Sequence, residues 1–339
     1  MTRTPIYRHS PIYSIGALGR ALRYEEHTLR VIADRAPRLY IGPTPLPKKN
    51  GGIRNVYDTR WPLKELLRTV NKVFFQRVDF PDYLTGSIKD RDYVGNAELH
   101  KNSLGTITED ISDFFPSIKS EAVYGIWRDF FKFGHEPAQL LTNLTTKDGI
   151  VFQGTPTSSY LANLVFWEVE PGVAAKLATK GIRYSRFVDD VTISSLSGLN
   201  QEEKRWAIAL IYAMMGSRGF KPKRKKHEIL SAGKPIRVMG LVTNSGVSLP
   251  RQERSVIRAS VHNLEMRFDR GGIDSDFRID FSKALGKVGK LKRFHKKEAI
   301  ALHDRIRAMK STVDETPIVA YGSNISQPPG LHNTNEPSF

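Results

Sequence analysis

Two adjacent carboxylates, Asp189 and Asp190, lie within Tyr184-Ser-Arg-Phe-Val-Asp-Asp-Val-Thr-Ile-Ser194. The apolar, β-branched and aromatic residues on both sides predict the tip of a β-hairpin. A bare tight turn favours Asn-Gly or Asp-Gly, because its second position often needs positive φ, and neighbouring carboxylates repel each other. A divalent cation is the simplest counter-charge; a solvated surface turn is the alternative. A third carboxylate, Asp110, ends a strand-like stretch containing Thr106, Ile107 and Ile111, just ahead of Pro116, which suits the first turn of a helix. Three carboxylates delivered by two strands could hold two Mg²⁺ ions about 3.5–4 Å apart, the clamp that serves the attacking and leaving oxygens of a phosphoryl transfer. Asp113 precedes Phe114-Phe115-Pro116 and is expected to cap that helix instead.

Between the two acidic segments lies Val151-Phe-Gln-Gly-Thr-Pro-Thr-Ser-Ser-Tyr-Leu-Ala-Asn163. Gln153-Gly154 reads as a turn whose glycine permits close backbone approach to a ligand, and Ser158 or Ser159 as the cap of the next helix. Alone, this is a loop entering a helix.

The elements that must position these groups follow from periodicity. Helices are predicted over 14–36, from Pro62 to about Val78, and over 118–133, 158–179 and 201–217. Tyr40 to Pro47 is a proline-rich connector, Lys48 to Arg54 a hairpin turn, and Ile53 to Tyr57 a strand. Further strands are expected near 150–152, 182–188, 191–195, 236–243 and 247–249. Residues 250–310 are helical in pattern and strongly basic, and the segment after Gly322 is rich in Asn, Ser, Pro and Gly, expected to be a poorly ordered or partner-dependent tail.

Composition narrows the function. The 339 residues suffice for a sizeable core and more than one subdomain. Lys+Arg 52 against Asp+Glu 35 gives a net charge of +17, which favours a polyanionic partner, nucleic acid or an anionic membrane. No apolar run approaches the roughly 20 residues of a membrane span, and the start lacks an apolar signal-peptide core, so a cytoplasmic location without membrane partners is expected. The chain has no cysteine, hence no disulfide or thiolate metal site.

The order of the segments resembles the palm of reverse transcriptases: an Asp-containing strand, a Gln-Gly-Thr-Pro-Thr-Ser turn into a helix, then a Phe-Val-Asp-Asp hairpin. The resemblance implies an α+β right-hand polymerase, with fingers, a palm of antiparallel sheet plus helices, and a helical thumb. It implies two Mg²⁺ ions, replaceable by Mn²⁺, held through Asp110, Ile111, Asp189 and Asp190, with Asp190 as the supporting carboxylate. Phe115, five residues after Asp110, would lie under the nucleotide sugar and exclude a 2′-hydroxyl. Lys49 and Arg54 would hold the incoming dNTP with Gln153 and Gly154, and Lys226 would be a catalytic general acid or charge neutraliser. Val238, Met239 and Gly240 resemble the strand that grips the primer, and Arg254, Arg258, Lys290, Lys292 and Arg293 of the basic stretch would contact RNA or primer.

Within that family the chain resembles the retron enzymes of the bacterial, group II intron-like lineage. Asn96-Ala97-Glu98-Leu99-His100, in an insertion before the first catalytic strand, is similar to their Asn-Ala-x-x-His element and implies RNA contact by Asn96 and His100; a polar loop with a locally bonded histidine is the bland reading. The implied subdomains are N-terminal helices and fingers with the insertion (1–104), palm (105–245, with part of the fingers at 119–150), thumb (246–311) and a flexible tail (312–339). The implied activity is synthesis of msDNA (multicopy single-stranded DNA) branched from a 2′-hydroxyl of a cognate structured noncoding RNA, in antiphage defence with a separate effector protein in the bacterial cytoplasm. Two features depart from the retron pattern: Phe187-Val188 stands where Tyr-Ala is usual, and Met239 where Thr is usual. Another bacterial reverse transcriptase with 3′-hydroxyl priming, a non-catalytic RNA-binding palm protein and a two-metal nuclease are the alternatives.

Overall fold

A computed structural model describes residues 4–48 and 51–315, which divide into two compact units, residues 1–248 and 249–339. Lys49 and the end of the C-terminal tail therefore lie outside the described residues.

The first unit is organised by a four-stranded antiparallel sheet. Its strands run in the spatial order Ile182–Phe187, Asp190–Ser195, Gly105–Asp110, Glu228–Ser231. Alternation sorts the side chains. Val191 and Ile193 are fully buried on the face that carries Ile107, while Asp190, Thr192 and Ser194 share the opposite face with Asp110. Helix Gln201–Ser217 begins with a capping box formed by Asn200 and Glu203, and buries Ala207, Ile211, Met214 and Met215.

Around the sheet, several predicted helices are shorter than their periodicity implied. The first is two, Ile15–Leu22 and Glu26–Leu39, broken where Arg23 turns left-handed at φ 62°. The second ends at Val73 and passes through a 3₁₀ turn, Phe75–Arg77, into a short strand, Val78–Asp79. Ser120–Gly125 continues as a single π turn, Ile126–Phe130, which swings Trp127 and Phe130 inward; Phe74, Phe75, Trp127, Phe131 and Phe133 form one aromatic cluster there. Residues 158–179 split into Ser158–Leu164 and Glu170–Thr179.

The proline-rich connector is itself a strand. Tyr40–Pro47 pairs with Ile53–Thr59 in an isolated two-stranded ribbon, where an outward strand tolerates Pro43, Pro45 and Pro47 because their missing donors face no partner. No strand forms at 150–152 or 247–249, and 236–243 is a minimal hairpin, Arg237–Val238 with Leu241–Val242.

In the second unit, helices Arg251–Asp269, Ser275–Lys292 and Lys296–Glu315 pack on one another through Ile257, Val261, Phe277, Phe281, Val288, Leu291, Leu302 and Ile306.

Candidate active site

The carboxylates meet because of strand register. Phe187 pairs with Asp190, leaving Val188-Asp189 as a two-residue turn, and Asp190 pairs across to Asp110 at the end of the central strand. The Ile111 amide donates to the Asp189 carbonyl at 3.1 Å, which locks the turn to the Asp110 strand. Val188 holds φ 59°, a left-handed conformation that a β-branched residue resists. Asp110 is buried, whereas Asp189 and Asp190 are half-buried.

This crowding shapes the electrostatics. Burial, and then the neighbouring Asp110 charge, raise the Asp189 carboxyl above its usual range. Burial and the adjacent Asp189 push Asp190 up to about 7. The nearest counter-charge is Lys226. Its ammonium donates to Asp110 Oδ2 and stands 3.9 Å from Asp190 Oδ1. Burial opposes that ammonium, but the hydrogen bond to Asp110 and the charges of Asp190, Asp110 and Asp189 outweigh it and raise its pKa. The lysine is delivered by the segment Phe220 to Lys226, stitched to the end of the Asp110 strand by Lys223 N to Asp110 O (2.7 Å) and Ser112 N to Lys221 O (2.8 Å). Lys223 Nζ adds a second cation 4.0 Å from Asp110 Oδ1.

Three oxygen-donor carboxylates with surplus negative charge suit a hard divalent cation. Among the described residues no three His, Asp or Glu side chains stand as a finished ligand set. Asp110, Asp189, Asp190 and the Ile111 carbonyl are the oxygen donors at hand, and Lys226 occupies one Asp110 oxygen.

Beneath the sheet, Glu109 points away from the carboxylates. It is buried and accepts from Tyr212 Oη at 3.1 Å while bonding His227 Nδ1 at 2.6 Å. The residue next to Lys226 is thereby anchored to the residue next to Asp110. Sequence reasoning missed this network; the signal was a glutamate at an inward position of an otherwise apolar face.

The other expected residues divide. Arg54 lies in the ribbon, exposed, and its charge is the smallest of those that favour the ionised form of Asp189. Phe115, in the short helix Phe114–Ser117, is 8 % exposed, offering little more than an edge. Gln153 and Gly154 abut the ribbon: Gln153 O accepts from Tyr57 N at 2.8 Å, and a Cβ on Gly154 would stand 2.4 Å from Tyr57 O. The close approach that glycine permits here is to the chain's own backbone. Ser158 donates to Phe152 O at 2.6 Å and so pins the loop instead of capping the helix. Asp113 occupies the position before its helix at φ 44° but makes no capping bond; Ser112 Oγ donates to it.

Asn96 and His100, the expected RNA contacts, are both buried. Asn96 Nδ2 donates to Thr85 Oγ1 (2.6 Å) and Ser185 Oγ (2.9 Å), and the His100 ring spans Ser194 Oγ and Ser185 Oγ, each at 2.7 Å. They clamp helix Tyr93–Leu99 onto the carboxylate-bearing face of the sheet. Burial, and then the Arg183 charge, lower the His100 pKa to about 3, so the ring is neutral. Val238 is likewise buried; Met239 (φ 50°), half-buried, and Gly240 (φ 79°), exposed, form the end of that hairpin, with the two positive φ values of a type I′ turn. In the helical unit, Arg254 and Arg258 bond Glu298, and Lys290 bonds Glu253; Arg258, Lys292 and Arg293 are exposed. Among the described residues no helix is long and apolar enough to cross a membrane.

Comparison with known proteins was informative at the level of sequence. The chain is 29% identical over 315 residues to the retron Se72 reverse transcriptase of Salmonella heidelberg, covering 92% of this chain and 83% of that one. It is 30% identical over 318 residues to the retron Ec48 reverse transcriptase of Escherichia coli, covering 89% and 77%. No family model matches. Among solved structures, Candida albicans telomerase in complex with a fragment of telomeric RNA aligns with a TM-score of 0.43 and 10% identity over 75% of this chain and 47% of that one, too distant to bear on the site.

Proposed function

The chain belongs to the retron reverse transcriptases, RNA-directed DNA polymerases of right-hand fold, and we propose that it makes msDNA from a structured noncoding RNA encoded beside it. In this reading synthesis starts at the 2′-hydroxyl of a guanosine in that RNA and leaves DNA branched onto it. The carrying observation is the pairing of Asp110 with Asp190 beside the Asp189 turn, with the Lys226 ammonium on Asp110.

When bound, two Mg²⁺ ions on Asp110, Asp189 and the Ile111 carbonyl, supported by Asp190, would lower the pKa of the attacking hydroxyl and neutralise charge on the triphosphate. The chain's own residues supply the rest. Lys226, protonated throughout the neutral range, has a proton to offer the leaving pyrophosphate and a charge to offset it. Arg54, together with Lys49, would hold the triphosphate, and Gln153 and Gly154 would join the ribbon to the palm. The edge of Phe115 would exclude a 2′-hydroxyl. Met239 and Gly240 would touch the primer, and Lys292 and Arg293 the phosphates. The corresponding divisions are fingers to residue 104, palm 105–245 and thumb 246–311. A role in antiphage defence with an effector protein, in the bacterial cytoplasm, belongs to the same proposal.

The test is the nucleic acid of cells carrying the gene with its flanking DNA, run on denaturing gels with and without ribonuclease and a 2′,5′-debranching enzyme. A short single-stranded DNA shifted by debranching is expected. DNA that ignores debranching would point to 3′-hydroxyl priming.

A further inference from the structure

Arg186 lies on the core face of the strand that leads into the catalytic turn and is completely buried. A guanidinium carries five N–H donors, and the surroundings supply five acceptors. Nε donates to Glu170 Oε1 (2.7 Å), Nη1 to Ala162 O (3.2 Å) and Val188 O (2.9 Å), and Nη2 to Asn163 O (2.9 Å) and Glu170 Oε2 (2.8 Å). Tyr184 Oη donates to the same carboxylate at 2.6 Å.

Three of these bonds converge on function. Val188 O belongs to the peptide plane that joins Val188 to Asp189, so its orientation sets where the Asp189 side chain departs. The same residue holds the left-handed φ that a β-branched side chain resists. From the other side Gly86 leaves no room: a Cβ there would stand 2.6 Å from Val188 N, and Asn163 Nδ2 holds the Gly86 carbonyl at 2.8 Å. Ala162 and Asn163 lie in the helix that follows the Gln153-Gly154 turn. One guanidinium thus ties that helix to the aspartate turn.

We propose that Arg186, fixed by Glu170, is a positioning residue that sets the Val188–Asp189 peptide and couples the aspartate turn to the nucleotide-side helix. This rests on the reading of Asp189 as catalytic. Stability alone does not demand such a pair, since well-packed apolar residues replace buried ion pairs without loss in many proteins. An apolar replacement cannot donate to Val188 O, and lysine lacks the planar fork that reaches four acceptor groups.

Full-length wild type, Glu170→Met/Arg186→Met, Arg186→Lys and Asp189→Asn are compared. Each is measured for thermal melting, for hydrogen exchange of the 187–191 amides without substrate, and for kcat and KM on a DNA primer annealed to RNA. In whichever variant melts near wild type, exchange at 187–191 is expected to rise while the rest of the sheet stays protected, and kcat to fall about 10- to 100-fold with little change in KM. Unchanged exchange and kcat in a folded variant overturn the proposal. So does failure of both variants to fold, which would make the pair a folding requirement. An inactive wild type, or an active Asp189→Asn, would instead remove the catalytic reading beneath it.

Discussion

Replacing Lys226 with methionine is expected to weaken catalysis and tighten metal binding together. The ammonium neutralises Asp110, whose carboxylate is 3% exposed, and lies 3.9 Å from Asp190. A hydrogen bond to a buried charged group contributes about 1.5–3 kcal/mol. The lysine side chain is 43% exposed, so solvent screening reduces this to about 1 kcal/mol. In a unit of this size that lowers the melting temperature by about 2–4 °C without Mg²⁺. In the proposed two-ion site the same ammonium would compete with a divalent ion for the Asp110 oxygen. Its removal should lower the Mg²⁺ concentration at half-saturation by about fivefold, the equivalent of that 1 kcal/mol. Loss of the proton donor costs turnover about 100-fold. Melting curves across a Mg²⁺ titration measure the first two effects without turnover, and single-nucleotide incorporation measures the third. A variant as stable as wild type without Mg²⁺, with an unchanged or weaker Mg²⁺ midpoint, would refute the idea that Lys226 holds the place of the ion.

Two further outcomes follow from buried groups. His100 is neutral in the fold, with a pKa of about 3, while an unfolded histidine titrates near 6.5. The unfolded chain therefore binds the extra proton, and His100's stabilisation is complete above about pH 6.5 and lost as pH falls toward 3, by up to about 1.4 kcal/mol per unit. Urea midpoints of wild type and His100→Asn should differ most at pH 7, with the difference narrowed at pH 5.5; a constant difference would count against it. Phe115→Val should raise incorporation of ribonucleotides relative to deoxynucleotides by about tenfold or more, a loss of steric exclusion worth about 1.4 kcal/mol. It should also cost stability, because the ring is largely buried. An unchanged ratio of kcat/KM values in a folded variant would remove Phe115 from the sugar site.

The parts of this site legible in sequence were those whose pattern conflicts with a bland role. Asp189-Asp190 breaks an alternating apolar run, and Asp110 ends another, so hairpin and carboxylates could be read directly. Register could not: only the pairing shows that Val188-Asp189 is the turn and that Asp190 faces Asp110. Polar residues default to the surface in sequence reasoning, which hid the inward-facing Asn96 and His100. Their partners Ser185 and Ser194 come from strands some 90 residues along the chain. Glu170 and Arg186 were hidden for the same reason, since the two charges satisfy each other together with Tyr184, the Val188 carbonyl and carbonyls of a distant helix. The prolines of Tyr40–Pro47 disguised a strand that an isolated ribbon can afford. The basic character of residues 250–310 was visible, but the carboxylates that partner Arg254, Arg258 and Lys290 were not, because they arise from neighbouring helices.

The central claim is that Asp110, Asp189 and Asp190 make this chain an RNA-directed DNA polymerase. Its most direct test uses purified full-length protein, a DNA primer annealed to an RNA template, dNTPs and Mg²⁺, with Asp189→Asn alongside and RNA binding measured on both. Wild type should extend the primer, and the variant should extend it slower by about 1000-fold or more, a barrier increase of about 4 kcal/mol, while binding RNA as well as wild type. Extension by Asp189→Asn at the wild-type rate, or RNA binding without any extension by wild type, would contradict the account.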